Sequence, residues 1–378
     1  MTICHVITRM IVGGAQENTL LTCCGLADRG HRVTLITGPS SGPEGRLLDT
    51  AEISGVRVIE VDGLVRPLNP PADWFGYREL LQLFRESSFD VVHTHSSKAG
   101  VLGRLAAWRA RVPVVVHTVH GQAFHPYQSH WRNRLYILLE RLAAQHCHHI
   151  FAVAQAMVDQ CVDAGVAERE KYSVVYSGMD LKPYATAVPD SALRANLGIP
   201  PGVPVIGKIA RLFDLKGHDV LLKAAARIVP EFPDARFLLV GDGSRRAELE
   251  EMASGLGIRA NVVFAGLVPP STIPSYVALM DILAHFSLRE GLPRTVVQAL
   301  AGGVPAVAFD LDGTPEVIEN DRTGILCPPE DVDAATDALL KLLRNPQMRR
   351  RMGRDGQKRV QQQFDSETMV KQLENAYL

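Results

Sequence analysis

Short β-branched runs alternate with longer amphipathic stretches along the whole chain, and the series runs through twice. Strands separated by helical crossovers pair in parallel, and right-handed crossovers cover both faces of the resulting sheet. In the first half, residues 3–7, 32–36, 57–61, 91–93, 114–118, 150–153 and 173–176 predict strands, with helical periodicity at 16–27, 77–86 and 132–144. In the second half, strands are expected at 205–209, 236–240, 262–265, 282–285, 306–309 and 324–327. Helices are expected there at 220–228, 246–255, 275–280, 296–301 and 332–342. A proline-rich stretch from Pro183 to Pro204 reads as the linker between the two sets. The charged tail 348–377 reads as helical, able to cross back onto the first set. The expected fold is α/β: two facing doubly wound domains, 1–185 and 186–360, with a C-terminal helix 361–378 bracing the first.

Composition narrows the function classes. Of 378 residues, 46% are hydrophobic and 21% charged, which excludes a disordered chain and a small disulfide scaffold. Forty basic residues against 41 acidic ones exclude a nucleic-acid binder held by excess positive charge. The six cysteines form no CxxC pair, which suits free thiols in a reducing compartment. No basic segment precedes the first apolar stretch, so no signal peptide is expected, and no apolar run is long enough to span a bilayer. The expected location is the cytoplasm, with peripheral contact at the inner face of the membrane.

Open α/β sheets bind ligands at the carboxyl ends of their strands, so residues just after each strand carry the functional signal. Gly13-Gly14 follows the first strand, where backbone amides can approach an anion at a helix start, although a simple tight turn also explains them. His120-Gly121 ends the fifth strand. His93 and His95 share a face of the fourth, and with His117 and His120 they raise a metal site as an alternative to loop and core histidines. In the second half, Arg211 and Lys216 sit five apart on a strand-to-helix loop, a fork and a point charge suited to phosphate oxygens or to solvent. Glu290-Gly291-Leu292-Pro293 places a carboxylate before a helix that carries Gln298. Asp310-Leu311-Asp312-Gly313-Thr314 matches a phosphatase nucleophile loop, but only 66 residues follow Asp312, too few to supply the rest of that site.

Taken in order, these segments resemble the retaining glycosyltransferases of family 4, which have the GT-B fold of two Rossmann-like domains. The resemblance covers nearly the whole chain. It is most specific through Val263-Phe264-Ala265-Gly266, Ile273-Pro274, Asp281-Ile282, Glu290-Gly291-Leu292-Pro293, Gly313-Thr314-Pro315-Glu316 and Thr323-Gly324. Gly13-Gly14, His120-Gly121 and Ser177-Gly178-Met179-Asp180 add to it from the first half.

The resemblance implies a hexosyltransferase that takes a nucleotide sugar, with UDP favoured over GDP, and no metal or other cofactor. Arg211 and Lys216 would grip the donor diphosphate. Glu290, Gly291 and Leu292 would hold the donor sugar, and Leu267 and Val268 would flank the base. His120 would face the sugar from the first domain, with Gly13 and Gly14 on the acceptor side and Gly14 also near the diphosphate. The implied acceptor is a saccharide or lipid-linked saccharide of cell-surface polysaccharide or glycolipid synthesis. One position departs: the family's second glutamate, eight residues after Glu290, is Gln298 here, which keeps an acceptor for a ribose hydroxyl but loses the charge. Ala154 likewise stands where many relatives have serine. A 2-epimerase, a phosphorylase or sucrose-phosphate-type synthase, and a non-catalytic nucleotide-sugar-binding subunit share the architecture and stay open as readings.

The segment from His125 to Arg134 leads into an amphipathic stretch with Leu135, Leu138, Leu139 and Leu142. Basic and aromatic residues beside an apolar face suit an anionic membrane surface, or an ordinary domain helix with one solvated side.

Overall fold

A computed structural model of the chain describes residues 1–40, 45–49, 53 and 55–378. They form two compact units, Met1–Met179 with Phe364–Leu378, and Asp180–Gln363.

The first unit is built on seven parallel strands: β1 (Thr2–Arg9), β2 (Arg32–Gly38), β3 (Val56–Glu60), β4 (Val91–His95), β5 (Val114–Val119), β6 (His149–Ala152) and β7 (Tyr172–Val174). Their spatial order is β3-β2-β1-β4-β5-β6-β7, so the direction of winding reverses between β1 and β4. β1, β4 and β5 are buried along most of their length, their histidines and threonines included. The first helix, Gly14–Asp28, ends where Gly30 takes a left-handed φ of 86°. There the Gly30 and His31 amides close back on the Ala27 and Leu26 carbonyls, a Schellman stop that needs glycine at this position.

The second unit holds six parallel strands: β8 (Val205–Ile209), β9 (Arg236–Val240), β10 (Val262–Gly266), β11 (Ile282–His285), β12 (Ala306–Phe309) and β13 (Gly324–Cys327). The order β10-β9-β8-β11-β12-β13 repeats the winding of the first sheet, with its switch between β8 and β11. Ile206, Phe237, Leu239, Ile282 and Val307 project into a core closed by Leu221, Leu249 and Leu339 from the covering helices. Each such fully buried side chain contributes about 1.5–3 kcal/mol.

The tail returns to the first unit. The helix Ser366–Tyr377 puts Met369, Val370, Leu373 and Tyr377 into that unit's core. A side chain at Gly25 would come within 2.7 Å of Val370, so the helix Gly14–Asp28 is glycine at the point of approach. Asp365 caps the helix start, and Glu374 pairs with Arg29 at 2.6 Å and His31 at 2.7 Å.

The division between the units falls at Met179 and Gln363, where the sequence suggested 185 and 360. The reason is a non-local bridge: Met179 pairs with Asp365, and the Met179 and Ser366 amides donate to the Phe364 and Met179 carbonyls. The expected linker is not plain coil either. It carries the short helices Lys182–Thr186 and Ser191–Asn196, the first with proline in its opening turn, where a missing N–H costs nothing.

Candidate active site

The chemistry-bearing residues of the second unit gather at the carboxyl ends of β8 and β11, on either side of the switch point. The loop leaving β8 carries Arg211 through Gly217. Gly217 has φ 65°, and a Cβ there would lie 2.0 Å from the Phe286 carbonyl oxygen. Only glycine therefore lets this loop lie against the β11 exit. Lys216 then donates to Glu290 Oε1 at 2.7 Å. Arg211 opens the same loop, exposed, with its guanidinium 5.0 Å above the Phe213 ring.

Glu290 is fixed at both ends. Its backbone N–H donates to Asp312 at 2.8 Å, and His285 Nε2 stands 3.6 Å from its carboxylate. Burial alone would raise the carboxyl, but the charge and hydrogen bond of Lys216, together with His285 and Ser287, outweigh it and hold Glu290 at about 2. Burial keeps His285 neutral, lowered to about 3. Glu290 is thus a fixed anion and acceptor at neutral pH rather than a proton donor. Asp312, with φ 51°, serves as a loop anchor for Glu290, which gives the phosphatase-like motif a structural explanation.

Gly291 and Leu292 lead to Pro293, which starts the helix Arg294–Ala301, and Gln298 lies half-buried one turn along that helix. Leu267, exposed, and Val268, half-buried, follow β10 at the same end of the sheet. One residue of this region is absent from the sequence reading. Lys208, in β8, is fully enclosed, and its ammonium has no hydrogen-bond partner among the described residues. Burial and the nearby Lys216 lower it to about 7. A lysine inside an otherwise apolar strand was the available signal.

In the first unit, Thr8 at the end of β1 and Ser96 just beyond β4 join across the switch point at 2.8 Å. Gly13 is extended, with φ 178°, so no left-handed turn dictates glycine there. Gly14 begins the helix. His120 stands just past β5, with Nε2 3.0 Å from His95 Nδ1.

The histidines group differently from the expected set. His93 and His95 are joined by His5, whose register partner across β1 and β4 is His93. The ligand atoms of these three lie within 4.8 Å of one another. His117 points to the opposite face, 3.0 Å from Thr94 Oγ1, because alternate strand residues face opposite ways. The cluster is hydrogen-bonded and stacked: His5 Nδ1 meets His95 Nε2 at 2.9 Å, and the His93 and His95 ring centroids are 4.3 Å apart. His93 is held between the Tyr377 hydroxyl at 2.5 Å and Thr118 at 2.6 Å. Burial lowers His5 to about 3 and drives His93, His95 and His117 well below the ordinary histidine value.

Comparison with known proteins decides the family. Residues 190–359 match the model for glycosyl transferases group 1, and residues 13–178 match the glycosyl transferase 4-like domain. The chain belongs to the GT-B glycosyltransferases of the family 4 kind. It is similar to an Escherichia coli UDP-Gal:alpha-D-GlcNAc-diphosphoundecaprenol alpha-1,3-galactosyltransferase, 29% identical over 90% of this chain and 87% of that one. It is also 30% identical to a Rhodococcus erythropolis D-inositol 3-phosphate glycosyltransferase, over 88% of this chain and 79% of the relative. Among solved structures, Anabaena HepE with UDP-glucose superimposes with a TM-score of 0.83 at 25% identity, covering 100% of this chain and 99% of the other. The GT-B enzyme described here is therefore a hexosyltransferase-type glycosyltransferase.

Proposed function

We propose that the enzyme transfers a sugar from a UDP-sugar, with retention at the anomeric carbon and without a metal ion, to a lipid-linked saccharide acceptor. The observation that carries the reading is the Lys216–Glu290 pair spanning the β8/β11 switch point, with Arg211 on the same loop. Leaving-group departure loads negative charge onto the diphosphate. In this reading Lys216 and Arg211 meet that charge as fixed cations, while Glu290 and the Gly291 and Leu292 amides hold sugar hydroxyls. Leu267 and Val268 flank the base, Gln298 accepts from the ribose, and Gly14 approaches the diphosphate. His120 hydrogen-bonds the reacting sugar. With Glu290 committed to Lys216 and the sugar hydroxyls, no carboxylate is assigned to the anomeric carbon, and the reading is same-face attack rather than a covalent glycosyl-enzyme.

The donor assignment draws on the UDP-sugar named for the E. coli relative and the UDP-glucose bound to HepE. The acceptor assignment draws on the diphosphoundecaprenol named for the same relative and on the surface of the first unit. The helix His130–Ala144 leaves Trp131, Leu138 and Leu142 exposed, with Arg132 lying over Trp131. Trp74 and Phe75 are exposed on the helix Pro70–Glu86. Exposed aromatics beside arginines suit peripheral contact with an anionic bilayer. No helix among the described residues is long and apolar enough to cross a membrane.

Two measurements test the reading. UDP raising the melting temperature more than GDP supports the donor, and the reverse order overturns it. NMR of the product supports retention if the donor's anomeric configuration persists, and inversion overturns it.

A further inference from the structure

The half-buried His120 is the outer end of a row of three imidazoles running into the core of the first unit. Its Nε2 lies 3.0 Å from His95 Nδ1, and His95 Nε2 lies 2.9 Å from His5 Nδ1. His5 and His95 are sealed from solvent, and the inner end of the row, His5 Nε2, is buried with no hydrogen-bond partner among the described residues.

This geometry limits where the protons can lie. A neutral imidazole donates through one nitrogen and accepts through the other, so each ring's role sets its neighbour's. Only two neutral arrangements satisfy both contacts. If His120 donated inward, His95 would donate to His5, and His5 would bury an N–H with no acceptor. If His5 donates outward, His95 Nδ1–H donates to His120 Nε2, and the buried end of the row is a bare lone pair. Either order leaves one buried atom unmatched, and an orphaned buried N–H is the rarer of the two in proteins, which favours the second arrangement. Burial keeps the inner rings uncharged, since a cation there would lack both water and a carboxylate partner. His93, clamped by Tyr377 and Thr118, stacks on His95 and holds that ring in the plane the row requires.

We propose that His95 and His5 are positioning residues that lock His120 as its Nδ1–H tautomer, presenting an N–H rather than a lone pair to the reacting sugar. The inference rests on the sugar-contacting role proposed for His120. It makes the row a one-way chain of donors aimed outward, a use of His5, His93 and His95 distinct from gathering a cation.

Nitrogen-15 NMR of histidine-labelled protein tests it without substrate, with His120 identified through a His120→Asn sample. The expected wild-type result is His120 protonated at Nδ1, and protonation at Nε2 overturns the proposal. His95→Phe removes the donor and is expected to move His120 toward the Nε2–H form, with kcat falling at least tenfold and KM for the nucleotide sugar changing less than threefold. His95→Asn keeps an N–H near the position of Nδ1 and should restore both tautomer and kcat in large part. An unchanged tautomer in folded His95→Phe, equal kcat losses in the two variants, or stoichiometric zinc binding through His5, His93 and His95 overturns the proposal. A wild-type enzyme that turns over no nucleotide sugar would instead remove the functional reading of His120 and leave the tautomer assignment standing.

Discussion

Lys216 and Glu290, 74 positions apart in sequence, meet at 2.7 Å and tie the loop after β8 to the loop after β11. The bond crosses the point where the second sheet reverses its winding, the position at which open α/β sheets take ligands. It also sets the charge state of the site. With its carboxyl held at about 2, Glu290 offers a permanent acceptor.

Acid should expose this pair. The folded value of about 2 lies below the ordinary 4.5, so the stabilisation is complete above pH 4.5 and is lost as pH falls from there toward 2. At pH 7, Glu290→Gln is expected to cost about 2–3 kcal/mol. Chemical denaturation in steps from pH 7 to pH 3.5 should show the gap between wild type and variant narrowing. A gap independent of pH would contradict the assignment.

Lys208 carries the opposite sign. It titrates at about 7 in the folded chain against an ordinary 10.5, so between those values the unfolded state holds more protons and stability rises with pH. Replacing the buried ammonium by methionine removes the penalty. Lys208→Met is expected to stabilise the protein by about 2–4 kcal/mol at or below pH 7, with the advantage fading toward pH 10. Denaturant titration at pH 6.5 and 9.5 checks it, and a destabilised variant at pH 6.5 would show that the ammonium is paired.

The strand pattern carried most of the fold. The apolar run 306–309 coincides with β12 because a strand covered on both faces demands an uninterrupted apolar stretch, and 205–209 coincides with β8 with Lys208 as its one charged interruption. What escaped depends on contacts between distant segments. The unit boundary is set by Met179 pairing with Asp365, which no local signal announces. His5 enters the histidine row only through its register with His93, and His117 leaves it only through the alternation of side chains along β5. The loop glycines and charges near Lys216 and Glu290 were legible because each follows a strand directly. Their direct pairing was not, because it depends on the two strands being neighbours.

Gln298 offers a test of nucleotide recognition. A carboxylate accepts a hydroxyl hydrogen bond about twice as strongly as a neutral amide oxygen. Gln298→Glu is expected to lower KM for the UDP-sugar by roughly tenfold while leaving kcat within about threefold. Initial rates across donor concentrations decide this, and an unchanged or raised KM would remove Gln298 from the ribose contact.

In the proposed mechanism fixed cations meet the departing diphosphate. Its most direct test is the rate of UDP-sugar turnover by wild type and by Lys216→Ala, each with and without a chelator. The expected result is a chelator-insensitive wild type and a folded Lys216→Ala enzyme slowed by about 10²–10³. Turnover abolished by chelation, or near-wild-type turnover in the variant, would contradict it.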